Sequence, residues 1–181
     1  MQSHHQQRRQ ITNPISISNM RDAVVDEGTY SKYVNDIIPF IDWLHIELPQ
    51  WMTPYCSEQH YAIKVLREGE GIKQRQQRIK TSWMKLVKNA GSQPLINLSQ
   101  MTPDGVMQFI RLQANQRTGK YLSVSSYNGK RSAIHHLVRV HWGQNGWSEE
   151  FNNDLDSLWK GFICQATKEK LELCTQAPTW H

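Results

Sequence analysis

The sequence has little of what several classes of protein require. It contains three cysteines, Cys56, Cys164 and Cys174. An odd number without a repeated spacing argues against a disulfide scaffold and favours the reducing interior of a cell. No stretch approaches the roughly 18 apolar residues that a membrane-spanning helix needs. The polar start MQSHHQQRRQ is not a secretory signal. We therefore predict a nuclear or cytoplasmic protein with no membrane partner.

The residue patterns of common catalytic and metal sites are also missing. The sequence has no glycine-rich phosphate loop and no pair of carboxylates spaced for acid–base chemistry. Cys56 and His60 have a spacing that zinc sites use, but the remaining ligands would have to come from distant parts of the chain. We therefore predict no metal and no other cofactor.

Charge and apolar content narrow the remaining possibilities. The net charge of +5 and the pI of about 9.2 favour a polyanionic partner, although such a charge also serves solubility alone. A hydrophobic content of 38% and seven tryptophans suffice for a core in a chain of 181 residues. Residues 1–25 are polar and lack periodicity, so they are predicted to form a disordered arm.

After this arm, apolar residues recur at three- and four-residue steps, which is typical of amphipathic helices. No segment alternates convincingly as strands do, so we predict an all-α bundle of about five helices. The bundle should occupy residues 26–165 and leave a C-terminal tail at residues 166–181. Thr29 is expected to cap the first helix, and Pro39 is expected to kink or split it.

Two later helices carry clear start signals. Thr102 fits the cap position, Pro103 the first helical position and Asp104 the positive end of the helix dipole. Ser148 fits the cap of the last helix. The apolar faces predict that the following residues belong to the core: Trp43, Trp83, Ala114, Leu158, Trp159 and Cys164.

The segment from Lys64 to Lys88 is strongly basic, with eight Lys or Arg residues against two Glu. Its apolar positions predict a helix after the interruption EGEG, with Arg75, Arg78 and Lys80 among the cations. Like charges this close repel one another, and an anionic partner would relieve that repulsion. A solvated helix face is the alternative interpretation.

A second basic segment reads YNGKRSAIHHLVRVHW. Arg131, His135 and Arg139 repeat every four residues, opposite the apolar side of the predicted helix. A helix with such a stripe fits the major groove of DNA, which is about 12 Å wide, and arginine offers a planar fork for phosphate or guanine. The same side carries Asn128 and Ser132. Lys120 and Lys130 flank the stripe. A solvated polar face is again the alternative.

Two stretches together resemble the core-binding domain of tyrosine recombinases, the phage-type integrases. The first, TYSKYVNDIIPFIDWL, carries Thr29, Tyr33, Phe40, Trp43 and Leu44 at the family's usual spacing. The second begins LSQMTPDG and ends at Trp142. It matches the family at these positions: Met101, Thr102, Pro103, Val106, Phe109, Ser132, Ala133, Leu137 and Val138. The resemblance covers residues 30–142, and the extra helix after it suggests a version from a eukaryotic mobile element.

The resemblance implies one jaw of a C-shaped clamp around duplex DNA, with other recombinase protomers as further partners. It does not supply catalytic residues. His136-x-x-Arg139 has the spacing of a motif in the family's catalytic domain, but no tyrosine follows Tyr127 to act as the nucleophile. We therefore predict a non-catalytic DNA-binding domain, as a fragment or remnant without the catalytic domain. An all-α protein–protein interaction module and an enzyme with an unrecognised site are the alternatives.

Overall fold

The computed structural model describes residues 26–114, 118–142 and 147–175, apart from the side chains of Trp142 and residues 170–175. These ranges form six α-helices and two short 3₁₀ turns, Pro49–Trp51 and Leu98–Gln100. The helices are α1 (Glu27–Glu47), α2 (Pro54–Lys64), α3 (Ile72–Lys88), α4 (Pro103–Arg111), α5 (Val124–Trp142) and α6 (Glu149–Thr175). No β-strand occurs in the described ranges, so the all-α prediction is confirmed. The predicted arm at residues 1–25 lies outside them.

Helix α1 begins earlier than predicted. Its cap is Asp26, whose Oδ1 accepts a hydrogen bond of 2.8 Å from the backbone N–H of Thr29. The prediction that Thr29 is the cap is therefore wrong. A carboxylate also interacts more favourably than a hydroxyl with the positive end of the helix. Pro39 removes one backbone hydrogen bond but does not split the helix. Fully buried apolar residues on both sides of it keep the two halves packed on the core.

The core lies around α1, which packs against α5 and α3, while α4 packs against α6. Its largest fully buried side chains include Trp83, Tyr127, Phe40 and Phe109. Trp43 and Trp159 are partly buried and packed against this core, as expected. The start of α4 is also as predicted, because Thr102 Oγ1 accepts a hydrogen bond from the Gly105 N–H and Pro103 follows the cap.

The C-terminal boundary differs from the prediction. Helix α6 continues to Thr175, and Ala166 is buried, so the packed domain does not end at residue 165. Three predicted core residues are exposed: Ala114, Leu158 and Cys164. Helical spacing alone could not tell that only one side of α6 is covered, mainly by α4. In the described ranges, no helix has the combination of length and apolar character needed to cross a membrane.

Candidate nucleic-acid interface

A polar groove of about 430 Å³ lies between α5 and the start of α6, with Tyr33 of α1 at its side. We refer to it as the α5–α6 groove. It is lined by Tyr33, Asn128, Arg131, Ser132, His135, His136, Arg139, Trp147, Asn152 and Asp156. Four of the nine predicted DNA-binding residues are thus brought together here. The polar stripe on α5 forms one wall because its members recur every three or four residues.

The opposite wall depends on the cap of α6. Ser148 Oγ accepts a hydrogen bond of 3.2 Å from the Phe151 N–H, as the sequence predicts for a cap. The Asn152 side-chain amide donates to the carbonyl oxygens of Trp147 and Ser148, at 3.1 Å each. These bonds hold the first turn of α6, and the Trp147 ring lies 5.3 Å from that of His135.

Arg131 is already engaged by the protein itself. Its guanidinium forms an ion pair with Asp156 and lies 5.2 Å from the centre of the Trp159 ring. Arg131 therefore lies in the predicted stripe, with its side chain 26% exposed and already paired. Its charge is shared with a carboxylate of α6, and an incoming anion would have to compete with Asp156 for it.

Arg139 is different. It lines the same groove, is partly exposed, and has no carboxylate partner in the described ranges. A guanidinium presents five N–H donors and stays charged at any physiological pH. Arg139 therefore gives the α5–α6 groove a positive charge that no described acidic residue neutralises.

The pKa values of both groove histidines are lowered, which favours the neutral form. Burial, followed by the positive charges of Arg139 and Arg131, lowers the pKa of His135. Burial, followed by Arg139 and His135, lowers the pKa of His136. The His136 ring lies 5.8 Å from the Tyr30 ring and 5.1 Å from the Tyr33 ring. At neutral pH the net charge of the groove therefore comes from its arginines and Asp156.

Lysines of α3 and α5 lie near this groove, and they differ in whether a carboxylate pairs with them. Lys130 forms a 3.0 Å ion pair with Asp36 of α1, and its side chain is 15% exposed. Lys130, predicted to flank the stripe, is therefore already paired with a carboxylate, as Arg131 is. Lys88 is exposed and its Nζ lies 5.4 Å from the centre of the Tyr30 ring, which also contacts His136. The C-terminal end of α3 thus lies beside the α5–α6 groove.

Arg75 and Arg78 lie in the first half of α3, and their side chains bond to the end of α2 and to the α2–α3 turn, the connection between the two helices. Arg78 donates two hydrogen bonds to the Glu70 carboxylate, at 2.6 and 2.8 Å. It also donates to the carbonyl oxygens of Ile63 and Val65. Arg75 donates to the Lys64 carbonyl oxygen at 3.0 Å. Both arginines thus satisfy carbonyls left free at the end of α2.

The last two predicted residues remain accessible. Lys80 is partly exposed and Lys120 is exposed, and neither side chain forms an ion pair with a described acidic residue. Lys120 lies in the connection before α5, where its backbone N–H donates to Thr118 Oγ1 at 3.3 Å. Both keep their charge for an anionic partner.

His60 and His141 have structural partners. His60 Nε2 lies 2.8 Å from Asp42 Oδ1. Among the described residues no group of three His, Cys, Asp or Glu side chains could hold a metal ion. His141 Nε2 accepts a hydrogen bond from the Leu95 N–H, and burial lowers the pKa of His141 to about 4. It packs against the segment before α4.

Five groove residues were not predicted from the sequence as binding residues: Tyr33, His136, Trp147, Asn152 and Asp156. Tyr33 and Asp156 lie on helix faces that the sequence assigns to packing or to solvent. Only the way in which α6 crosses α5 places Asp156 against Arg131, 25 positions earlier. A local signal exists for Trp147 alone, since it directly precedes the predicted cap Ser148.

Comparison with known proteins adds no relative to this picture. No family model, curated protein or solved structure matches the chain.

Proposed function

We propose that this protein is a non-catalytic duplex-DNA-binding domain of the kind found in tyrosine recombinases. The proposal is supported by one observation above all. Arg139 stands in the α5–α6 groove without a carboxylate partner in the described ranges, among polar side chains suited to phosphate or base edges. Asn128 and Ser132 are exposed on the same wall. DNA would be held mainly by its backbone, with base contacts from α5.

Not every lysine and arginine is available to bind DNA in this proposal. Arg139, Lys80, Lys88 and Lys120 have no acidic partner among the described residues, whereas Arg78, Arg131 and Lys130 have one. Each free cation that neutralises a phosphate releases condensed counterions, so binding should weaken steeply with salt. The proposed interface is therefore centred on Arg139 and extends towards the end of α3.

The protein–protein alternative also has a specific observation in its favour. Large apolar side chains are exposed near the α2–α3 turn, with Tyr61 75% exposed, Leu66 71% and Ile72 80%. Exposed apolar surface of this kind is common at protein interfaces. Under this alternative the groove would have no role in binding nucleic acid.

Measuring the affinity for a fluorescent DNA duplex at two or more salt concentrations separates these functions. Arg139→Ala is the test variant. Arg111→Ala is its control, because Arg111 lines a different groove, between α4 and α6, and its loss changes the net charge equally. We expect Arg139→Ala to weaken binding about tenfold and Arg111→Ala to change it less than about twofold.

Two results would reject the proposal. The first is the absence of saturable, salt-dependent binding to duplex DNA. The second is an equal loss of affinity in both variants, because it would mean that only total charge matters. The melting temperatures of both variants should stay close to that of the unaltered protein, which excludes unfolding as the cause.

A further inference from the structure

Trp147, beside the α5–α6 groove, carries a polar atom that lacks a partner. It is only 5% exposed, and its Nε1–H finds no hydrogen-bond acceptor among the residues that the structure describes. An indole N–H can only donate, and buried donors in folded proteins nearly always have an acceptor. The Nε2 atom of His136, another lining residue, is likewise buried and has no partner in the described ranges. The groove is therefore short of hydrogen-bond partners as well as of negative charge.

The one acidic side chain of the groove shows what kind of group fits there. The Asp156 carboxylate binds the Arg131 guanidinium, so an oxyanion on this wall is already stabilised by an arginine. The lining residues include two arginines and one carboxylate. With both histidines neutral, the lining keeps one positive charge that a second oxyanion would neutralise.

We propose that the α5–α6 groove is a discrete binding site for one phosphate group, with Arg139 and Trp147 as its donors. This inference rests on the proposed function for the source of the phosphate, which is a phosphodiester of bound DNA. Free phosphate shares the same chemistry. A phosphate offers oxygens to several donors at once, whereas a carboxylate offers two. The groove volume leaves room for water or a sugar beside it.

Trp147 belongs to the segment that precedes α6, outside residues 30–142, where the recombinase resemblance applies. A site that requires it therefore does not follow from that resemblance. Asp156, which lies further along α6, would limit the affinity for phosphate because it competes for Arg131. Arg139 would supply the attraction, and the Trp147 N–H would supply direction.

The indole N–H signal of Trp147 in a ¹H–¹⁵N spectrum reports on this site directly. Trp147→Phe identifies that signal by its disappearance and keeps an aromatic ring in place. The full chain is titrated with sodium phosphate, with sodium sulfate and, separately, with a short DNA duplex. We expect the Trp147 signal to shift saturably with all three, and sodium chloride at equal ionic strength serves as the control.

The variants then test the two donors. Trp147→Phe and Arg139→Ala should each weaken phosphate and sulfate binding about tenfold, followed through other groove signals, because each removes a charge-assisted hydrogen bond. Arg111→Ala should leave the affinity unchanged. Arg139→Lys should recover part of the loss, since it restores the charge but not the planar fork.

The outcomes separate this inference from the proposed function. If DNA binds but the Trp147 signal shifts with none of the three ligands, the phosphate site is refuted and DNA binding stands. If phosphate and sulfate shift the signal but DNA does not bind, the site is supported with free phosphate as its ligand, and the proposed function fails. A shift that is linear in concentration and survives Arg139→Ala would mean that only weak, adventitious ion contact occurs, which also refutes the site.

Discussion

The α2–α3 turn receives hydrogen bonds from two arginines of α3, and the α5–α6 groove is lined by two others, all four predicted as DNA contacts. They differ in what those arginines already touch. In the turn, Arg78 donates to a carboxylate and to two backbone carbonyls, and its side chain is 14% exposed. In the groove, Arg139 has no acidic partner among the described residues. Charge counted along a chain is therefore not the same as charge available to a ligand.

Removing one arginine from each region should have the largest effect. Arg78→Ala takes away the donor for three acceptors around the turn, so we expect the melting temperature to fall by several degrees. Arg139→Ala should leave the melting temperature nearly unchanged and should weaken DNA binding instead. Thermal unfolding followed by circular dichroism measures the difference. Equal melting temperatures for the two variants would abolish the distinction between the regions.

Removing one carboxylate from each region should affect different properties: stability for the turn and DNA affinity for the groove. Glu70→Gln leaves the guanidinium of Arg78 without its charged partner and should lower the melting temperature. Asp156→Asn removes an acid that is 50% exposed, so stability should change by less than about 1 kcal/mol. It also frees Arg131, and DNA affinity should rise about two- to fivefold. A loss of affinity in Asp156→Asn would show that Arg131 needs this partner in order to bind.

The groove should also respond to pH at values where the turn does not. The relevant groups include both histidines and those facing them: His135, His136, Arg131, Arg139, Asp156, Tyr30, Tyr33 and Trp147. Burial and the arginines keep the pKa of His135 and His136 below the ordinary 6.5, and a bound oxyanion would raise it again. Binding then takes up protons, so affinity should increase as the pH falls below about 6.5.

Sulfate is the suitable ligand for this measurement, because its own charge stays constant over the range. We expect at least about threefold tighter sulfate binding at about pH 5.5 than at about pH 7.5. An affinity that is independent of pH would place both histidines away from the ligand.

The hydrogen bond from Arg78 lowers the pKa of Glu70, so its stabilising effect is complete above about 4.5 and is lost only as the pH falls further.

The smallest effect on DNA affinity is expected from a lysine that has no acidic partner among the described residues and lies outside both regions. Lys80→Ala removes a partly exposed cation of α3 that has no acidic partner among the described residues. We expect DNA affinity to fall about twofold for every sequence tested, and the slope of log affinity against log salt to decrease by about 1. Lys130→Ala is the contrasting variant, because its ion pair with Asp36 should leave the salt slope unchanged.

Local features of the fold were predictable where the deciding atoms lie close together in the chain. Thr102, Pro103 and Asp104 lie within three positions, and α4 begins there as predicted. The polar stripe on α5 was also predictable, because helical spacing decides which of its residues share a side. The predicted helix cap was wrong where two nearby residues could each fill that position. Asp26 and Thr29 could each cap α1, and the sequence does not say which one the helix uses.

The carboxylates that pair with the predicted DNA-binding residues were not predictable in this way. Arg131 meets Asp156, and Lys130 meets Asp36, 94 positions away. Such contacts depend on how three helices cross. Arg78 and Glu70 are only eight positions apart, but their bond requires the chain to reverse between α2 and α3. The Gly69 backbone, with φ of +73°, lies in that reversal.

The sequence by itself determined the all-α class and which residues of α5 share a polar side, because both depend on the repeat of the helix. Tertiary structure alone decided which cations remain free. An ion pair forms only when packing brings a carboxylate within reach, and that distance is set by the arrangement of α1, α5 and α6 rather than by their individual patterns.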